Sequence, residues 1–415
     1  MLNDPPHLLN GFDRLTSEQQ AVFSSELNKH SLQEQRGVIA QTSSFPLPEP
    51  FREFDTPTES ARLKGQQLIS QGKVACLILA GGQGTRLGQS IPKALVEVTP
   101  IRKKTLLQLF CEKTAAASRA YKTSLQLALM TSSQNHAIIA EYLSENKFFG
   151  LTPSQVQLFM QDDAPFLNDQ GDWFLEAPGR LAQGPDGNGH SLRKLMESGI
   201  GKQWIEQGIE SLLVLPIDNP LADPFDAALC GYHALKNQEA TLKAMKRNDP
   251  AEKVGVVVSR EGKITVQEYS ELPDAFEAPL AHIGLFCFSF SFVERISHLT
   301  LPWHVARKKY GDQPIWKFER FLFDVLSHSE QTGVLVYPRE DVYAPLKNME
   351  GPHSLSTVQQ ALTAFDRRLF TQLTKTEPSH LFELDPAFYY LTAEFKTAWE
   401  QKKVAQLDYY AHEFS

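Results

Sequence analysis

Three glycines and two cations suggest the chemistry. Gly81, Gly82 and Gly84 fall in the run Leu79-Ala80-Gly81-Gly82-Gln83-Gly84-Thr85-Arg86-Leu87-Gly88, and Lys93 follows behind Pro92. Glycine accepts positive φ and lets a backbone approach a ligand closely. Successive N–H groups in such a turn converge on an anion. Arg86 adds a planar fork that suits phosphate oxygens, and Lys93 adds a compact point charge. The pattern points to a phosphorylated ligand. A Walker loop is excluded because no Gly-Lys-Ser/Thr follows the glycines. The dinucleotide fingerprint is excluded because Leu87 occupies its third glycine position.

These residues need elements to place them. The apolar run 74–80 reads as a buried strand that delivers the turn through Leu79 and Ala80. Further strands are predicted at 126–130, 156–160 and 212–217, with helices at 105–121 and 135–146 between them. Strands alternating with helices imply parallel βαβ units. Right-handed crossovers then put the strand C-termini on one edge, where open α/β sheets bind ligands. Gln161 and Asp218 both lie just past a strand end, beside the glycine turn. A side-chain amide such as Gln161 offers both a donor and an acceptor. A carboxylate such as Asp218 is either a helix cap or a metal ligand.

Three parts are expected: an N-terminal segment 1–72, a core 73–350 and a C-terminal segment 351–415. The first is polar, with helices at 17–29 and 59–71, a capping box at Ser17 and Gln20, and an extended proline-rich stretch at 43–57. After 254 the chain reads as more β, at 254–259, 264–269, 282–290 and 335–337. From 351 it reads as helical, at 356–373 and 386–406.

Net charge is −8 over 415 residues and the pI is about 5.9. No global basic field suggests nucleic acid, so an anionic ligand must meet local cations. Cys76, Cys111, Cys230 and Cys287 are isolated, without C-x-x-C spacing, which argues against a disulfide framework or a zinc site. The start Met1-Leu2-Asn3-Asp4-Pro5-Pro6 lacks the cationic and apolar regions of a signal peptide, and no apolar run reaches membrane-span length. Cytoplasmic residence is expected.

The chain resembles the eukaryotic-type UDP-N-acetylhexosamine pyrophosphorylases and their UDP-sugar pyrophosphorylase relatives. Besides the glycine run, the resemblance rests on Met130-Thr131-Ser132, Phe148-Phe149-Gly150-Leu151, Pro185-Asp186-Gly187-Asn188-Gly189 and Ile217-Asp218-Asn219. It continues through Val254-Gly255-Val256-Val257, Glu268-Tyr269-Ser270-Glu271, His304-Val305-Ala306, 317–324, Arg339-Glu340-Asp341 and Pro345-Leu346-Lys347-Asn348. The blocks keep the family's order across about 75–350.

The resemblance implies an α/β fold: a Rossmann-like nucleotidyltransferase core with a mixed sheet, a helical N-terminal wrap and a small C-terminal segment. It implies formation of UDP-sugar and pyrophosphate from UTP and a sugar 1-phosphate, most readily N-acetylglucosamine 1-phosphate, with Mg²⁺ or Mn²⁺ as cofactor. It assigns catalysis to Arg86, Lys93 and Lys347. Nucleotide contacts fall to Leu79, Ala80, Gly81, Gly82, Gly84, Gln161, Gly187 and Lys317. The sugar falls to Asn188, Gly255, Glu268, Tyr269 and His282, and the metal to Asp218. The sequence departs from the family at His282, where the N-acetylhexosamine enzymes have Asn, and at His190-Ser191-Leu192 in place of Gly-Leu-Tyr. Imidazole is bulkier than an amide and ordinarily titrates near neutral pH. A broader enzyme acting on glucose or galactose 1-phosphate is the first alternative, and a non-catalytic nucleotide-sugar-binding protein the second. A glycosyltransferase would carry Asp-x-Asp where this chain has Asp218-Asn219.

Overall fold

The apolar run before the glycine turn forms β1 (Val74–Leu79), in the middle of a ten-stranded sheet. The computed structural model describes residues 11–41, 47–84, 91–273, 276–400 and 407–411. Strands β2 (Gln126–Thr131), β3 (Val156–Met160) and β4 (Ser211–Pro216) run parallel to β1 in the spatial order β4-β1-β2-β3. Val74, Cys76 and Ile78 enter one hydrophobic cluster, and Ala75 and Leu77 enter another on the opposite face. Burial on both faces explains why these strands read as continuous apolar runs rather than alternating ones.

Beyond β4 the sheet becomes mixed. It contains β5 (Ala240–Lys246), β6 (Val256–Arg260), β7 (Lys263–Gln267) and β8 (Leu280–Ser289). The long strand β8 pairs antiparallel with β4, β5 and β6. A separate hairpin joins β9 (His304–Tyr310) to β10 (Gln313–Glu319), and β11 (Thr332–Tyr337) lies parallel to β5. The two-residue strand Glu49–Pro50 closes one edge against β6.

Helices α1 (Ser17–Leu27) and α2 (Leu32–Gln41) pack through Phe23, Leu27 and Leu32 against Leu167, Trp173 and Phe318. Helix α3 (Glu59–Ser70) follows. Helices α4 (Leu106–Tyr121), α5 (His136–Glu145) and α6 (Ala227–Leu235) cover the sheet, and α7 (Leu355–Thr374) adds Val358 and Leu362 to the same core cluster.

Three expectations shift. The capping box is one residue earlier: Thr16 Oγ1 accepts the Gln19 N–H at 3.3 Å and Gln19 Oε1 accepts the Thr16 N–H at 2.9 Å. Thr16 and Ser17 are both capping types, so composition alone could not decide the register. Helix α2 went unforeseen, because Leu32 is its only fully buried apolar anchor within a polar stretch. The helix expected over 386–406 is broken into a single turn at Pro386–Tyr389 and a helix at Ala393–Glu400. Tyr389 bonds Asp366 (2.8 Å) and Tyr390 bonds Asp223. Tyr390 takes the non-helical pair φ −124°, ψ 62°. The ends of that expectation (401–406) and of the proline-rich stretch (43–46) lie outside the described residues.

Helices α3 and α6 cross unusually closely because two glycines face each other's backbones. A Cβ at Gly65 would lie 1.7 Å from Ala227 O, and one at Gly231 would lie 1.7 Å from Ala61 O. Neither carbonyl can yield without moving a helix. Gly65→Ala is expected to cost about 3 kcal/mol, at the upper end of ordinary overpacking. The urea midpoint should fall with an unchanged m-value, and an unshifted midpoint would refute the backbone contact.

Candidate active site

The spatial order β3-β2-β1-β4-β8 sets out one working edge. Gln161, Ser132, Gly81, Asp218 and His282 project there from consecutive strands or the loops after them. Neighbouring strands are spaced by roughly 4.8 Å, so the four intervals span about 19 Å. β8 runs antiparallel, and its first half reaches the same edge as the C-termini of β1–β4. Phe286 pairs with Val214, and a Cβ at Gly284 would lie 3.2 Å from Pro216, so the 282–284 segment lies beside the C-terminal end of β4.

The glycine turn is held from below. The Ala80 N–H donates to Met130 O (2.8 Å), and Asn135 Nδ2 donates to Ala80 O (2.9 Å). Asn135 Oδ1 accepts the Ser132 N–H (2.8 Å), and Gln83 Nε2 donates to Ser132 Oγ (2.8 Å). Gly84 has φ +67°, a conformation that favours glycine. The Lys93 N–H returns to Gly82 O at 3.3 Å. A Cβ at Gly82 would touch nothing, whereas one at Gly81 would lie 2.2 Å from Gln161 Nε2. The Gln161 amide therefore lies directly against Gly81, with its backbone N–H fixed to Thr131 O (2.9 Å). Leu79 and Ala80 form the strand end beneath the turn. Arg86 lies outside the described residues.

Beside the turn, Lys93 Nζ is 3.4 Å from Asp218 Oδ2, and both side chains are less than one-fifth exposed. Asp218 O accepts the Leu346 N–H (2.8 Å), which draws the 345–348 loop to the same place. Asn219 completes the attachment, accepting the Ala344 N–H (3.0 Å) and donating to Val342 O (2.7 Å). Burial alone would lower the Lys347 pKa, but Asp218, Tyr343 and Glu268 outweigh it and raise the pKa, so Lys347 is a firm cation. From α4, Lys113 Nζ donates to Pro220 O (2.6 Å) and Ala222 O (2.9 Å) and pins the segment behind Asp218.

On the far side, β8 bulges. Lys243 faces Leu285 but Ala244 faces His282, so Ile283 and Gly284 are extra, and Gly284 has φ +78°. The freed Gly284 N–H donates to His282 Nε2 at 3.1 Å, which places the ring proton on Nδ1. Burial, then the Lys347 charge, pushes the His282 pKa down to about 3. The expected titration near neutral pH does not occur. The His282 backbone N–H bonds Gly255 O (2.8 Å), and a Cβ at Gly255 would come within 3.5 Å of Glu268 Oε1. Burial, then Glu271, raises the Glu268 pKa. Tyr269 opens a short turn after β7 and is 42% exposed.

Not every sequence candidate joins this group. Lys317 pairs with Glu319 on the β9–β10 hairpin (3.0 Å). Asn188 Oδ1 accepts the Leu322 N–H (2.9 Å). Gly187 has φ +92° and is required by close approach to Arg320, whose carbonyl would lie 2.3 Å from a Cβ. Sequence reasoning missed the clamp Asn135 and the pin Lys113. The readable signals were a buried-side lysine on an otherwise apolar helix face and a Ser-x-x-Asn spacing after β2. It also gave no role to His304, which bridges Glu271 (2.8 Å) and Asp324 (2.9 Å). Burial opposes charge there, but the two carboxylates prevail and hold the imidazolium pKa up to about 10.

The sequence profile described as UTP--glucose-1-phosphate uridylyltransferase matches residues 20–397. A probable UDP-N-acetylglucosamine pyrophosphorylase of Dictyostelium discoideum is 30% identical, over 83% of this chain and 82% of that protein. UDP-N-acetylglucosamine diphosphorylase 2 of Arabidopsis thaliana is 30% identical over 69% of this chain, and the match spans 63% of that relative. The crystal structure of the uridine diphosphate N-acetylglucosamine pyrophosphorylase from Trypanosoma brucei superposes with a TM-score of 0.81, at 23% identity, over 95% of this chain and 92% of that one. At that identity the likeness speaks for the fold.

The His304 bridge sets a pH dependence. A pKa raised from 6.5 to about 10 on folding contributes stability that is complete below pH 6.5 and is lost as pH rises through about 10. Wild type should exceed His304→Gln by about 3 kcal/mol in the acid range and converge toward it in alkali. Urea unfolding across that window checks this, and a pH-independent gap would contradict the charged bridge.

Proposed function

Because the chain belongs to the UTP--glucose-1-phosphate uridylyltransferase family, we propose that it joins UTP to a sugar 1-phosphate, N-acetylglucosamine 1-phosphate first, giving UDP-sugar and pyrophosphate. The supporting observation is the run of groups along one sheet edge. An amide lies against the glycine turn, Lys93 contacts Asp218, the loop bearing Lys347 is bonded to the same residue, and Glu268 and His282 follow around Gly255. That order matches base, phosphates and sugar.

In this reading Gln161 reads the uracil edge over Gly81, and the N–H groups of Gly81, Gly82 and Gly84 receive phosphate oxygens. The sugar phosphate oxygen attacks the α-phosphorus in line, and its bond to the β-phosphate oxygen breaks. The step calls for positioning and charge neutralisation. Lys93 and Lys347 supply both, Arg86 adds a third cation, and Lys317 joins only if it leaves Glu319. Glu268, Tyr269, Gly255 and His282 border the sugar.

Asp218 would hold Mg²⁺ or Mn²⁺. Among the described residues it belongs to no cluster of three or more His, Cys, Asp or Glu side chains, and a hard cation held by a carboxylate plus phosphates and water fits that donor set. When bound, the ion neutralises phosphate charge. The four cysteines are free and buried, which agrees with a reducing cytoplasm. No helix among the described residues is long and apolar enough to cross a membrane.

Pyrophosphate release is the test, with UTP against a panel of sugar 1-phosphates and the other nucleoside triphosphates as controls. Lys93→Ala and Lys347→Ala are each expected to lower kcat/KM by about 100-fold or more, with unchanged circular dichroism. Full activity in both variants would sink the assignment. His282→Phe removes the fixed Nδ1–H donor and should change kcat/KM for acetylated against non-acetylated sugars by about tenfold, leaving the UTP KM alone. An unaltered ratio would remove His282 from the sugar pocket.

A further inference from the structure

A polar cavity of about 440 Å³ lies between α1, α2 and the loop after β3. Its wall carries four buried polar atoms without a hydrogen-bond partner: Gln35 Oε1, Asp163 Oδ1, Asp186 Oδ1 and His190 Nε2. Gln35, Asp186 and His190 are only 3%, 2% and 8% exposed. Each unpaired buried group costs about 1–3 kcal/mol. Three of the four atoms are oxygens that accept, and the imidazole nitrogen accepts whenever the proton sits on Nδ1. A cation answers all of them.

The geometry agrees. One ligand atom from each of Asp162, Asp186 and His190 lies within 4.8 Å of the others. Asp186 Oδ2 is 3.5 Å from His190 Nδ1. That contact keeps the proton on Nδ1 and leaves Nε2, which has no partner, as the accepting atom. The charge agrees too. Glu26 and Glu34 join the three aspartates, against Lys29, Arg193 and Arg320. Arg193 is engaged by Glu197 at 2.7 Å. Arg320 is 3.7 Å from Asp186 Oδ2, but its guanidinium lies over the Trp303 ring and its Nε donates to Leu301 O (2.9 Å). Lys194 bonds only one oxygen of Asp162 (2.8 Å), whose side chain is half exposed and can turn inward.

We propose that this cavity binds one divalent first-row transition metal, Zn²⁺ by preference, through His190, Asp186 and Asp162, with metal-bound water reaching Gln35 and Asp163. The imidazole ligand selects against Mg²⁺ and Ca²⁺. The ion braces α2 against the loops that carry Gln161 and Gly187, and the proposal stands whether or not the chain is a pyrophosphorylase.

The test titrates Zn²⁺ into chelator-treated full-length protein by calorimetry without nucleotide, and Co²⁺ by visible absorption. Wild type and Asp218→Asn should each take up one equivalent with a raised Tm. His190→Ala should weaken uptake tenfold or more and lose the Co²⁺ bands. Asp162→Asn, at a half-exposed position that cannot endanger the core, should weaken it as well. No stoichiometric uptake by wild type, or wild-type affinity in both His190→Ala and Asp162→Asn, would overturn the site and leave ordered water as the occupant. Loss of uptake in Asp218→Asn alone would place the ion at the other site and likewise overturn it.

Discussion

A site built from loops at a sheet edge must satisfy backbone groups that the sheet no longer pairs, and here two buried asparagine side chains do it. Asn135 joins the glycine turn after β1 to the turn after β2. Asn219 joins the end of β4 to the 342–344 segment, and with it the loop bearing Lys347. Buried backbone polar groups are costly to leave unpaired, and a side-chain amide can serve one donor and one acceptor at once. With both clamps set, four loops distant in sequence are held in two pairs, and the Lys93–Asp218 contact joins one pair to the other.

Much of this was legible beforehand. The strands β1–β4 are covered on both faces, so their apolar runs were unmistakable, and Gln161 and Asp218 were located by standing just past them. The clamps were not legible, because their partners lie far away: Asn135 reaches back 55 residues and Asn219 reaches forward more than 120. A polar residue that follows a strand looks like any loop residue until the chain has folded. Lys113 was readable in retrospect, since an ammonium on the inner face of α4 must find carbonyls. The break at Tyr390 was not, because two tyrosines on successive positions are drawn to acids on different elements, Asp366 and Asp223.

Two histidines near the far end of the site show how little the residue type says alone. His282 sits where burial and a nearby ammonium strip it of charge, and a backbone donor selects its tautomer. His304, on the next strand in the chain, is clasped by two carboxylates and is held charged. One is a neutral wall with a fixed donor and the other a permanent cation cross-linking two loops. Neither acts as a switch at neutral pH, though the free amino acid would.

The bulge in β8 has a bearing on how the protein can change over generations. The two extra residues are absorbed locally, and the strand is in register with β5 from Leu285 and with β4 from Phe286 onward. Insertions or exchanges at 282–284 can therefore reshape one end of the working edge without shifting the strand that carries Asp218. In the proposed reading the fold insulates recognition of one substrate half from the machinery for the other, so exchanges in the first leave the second in place.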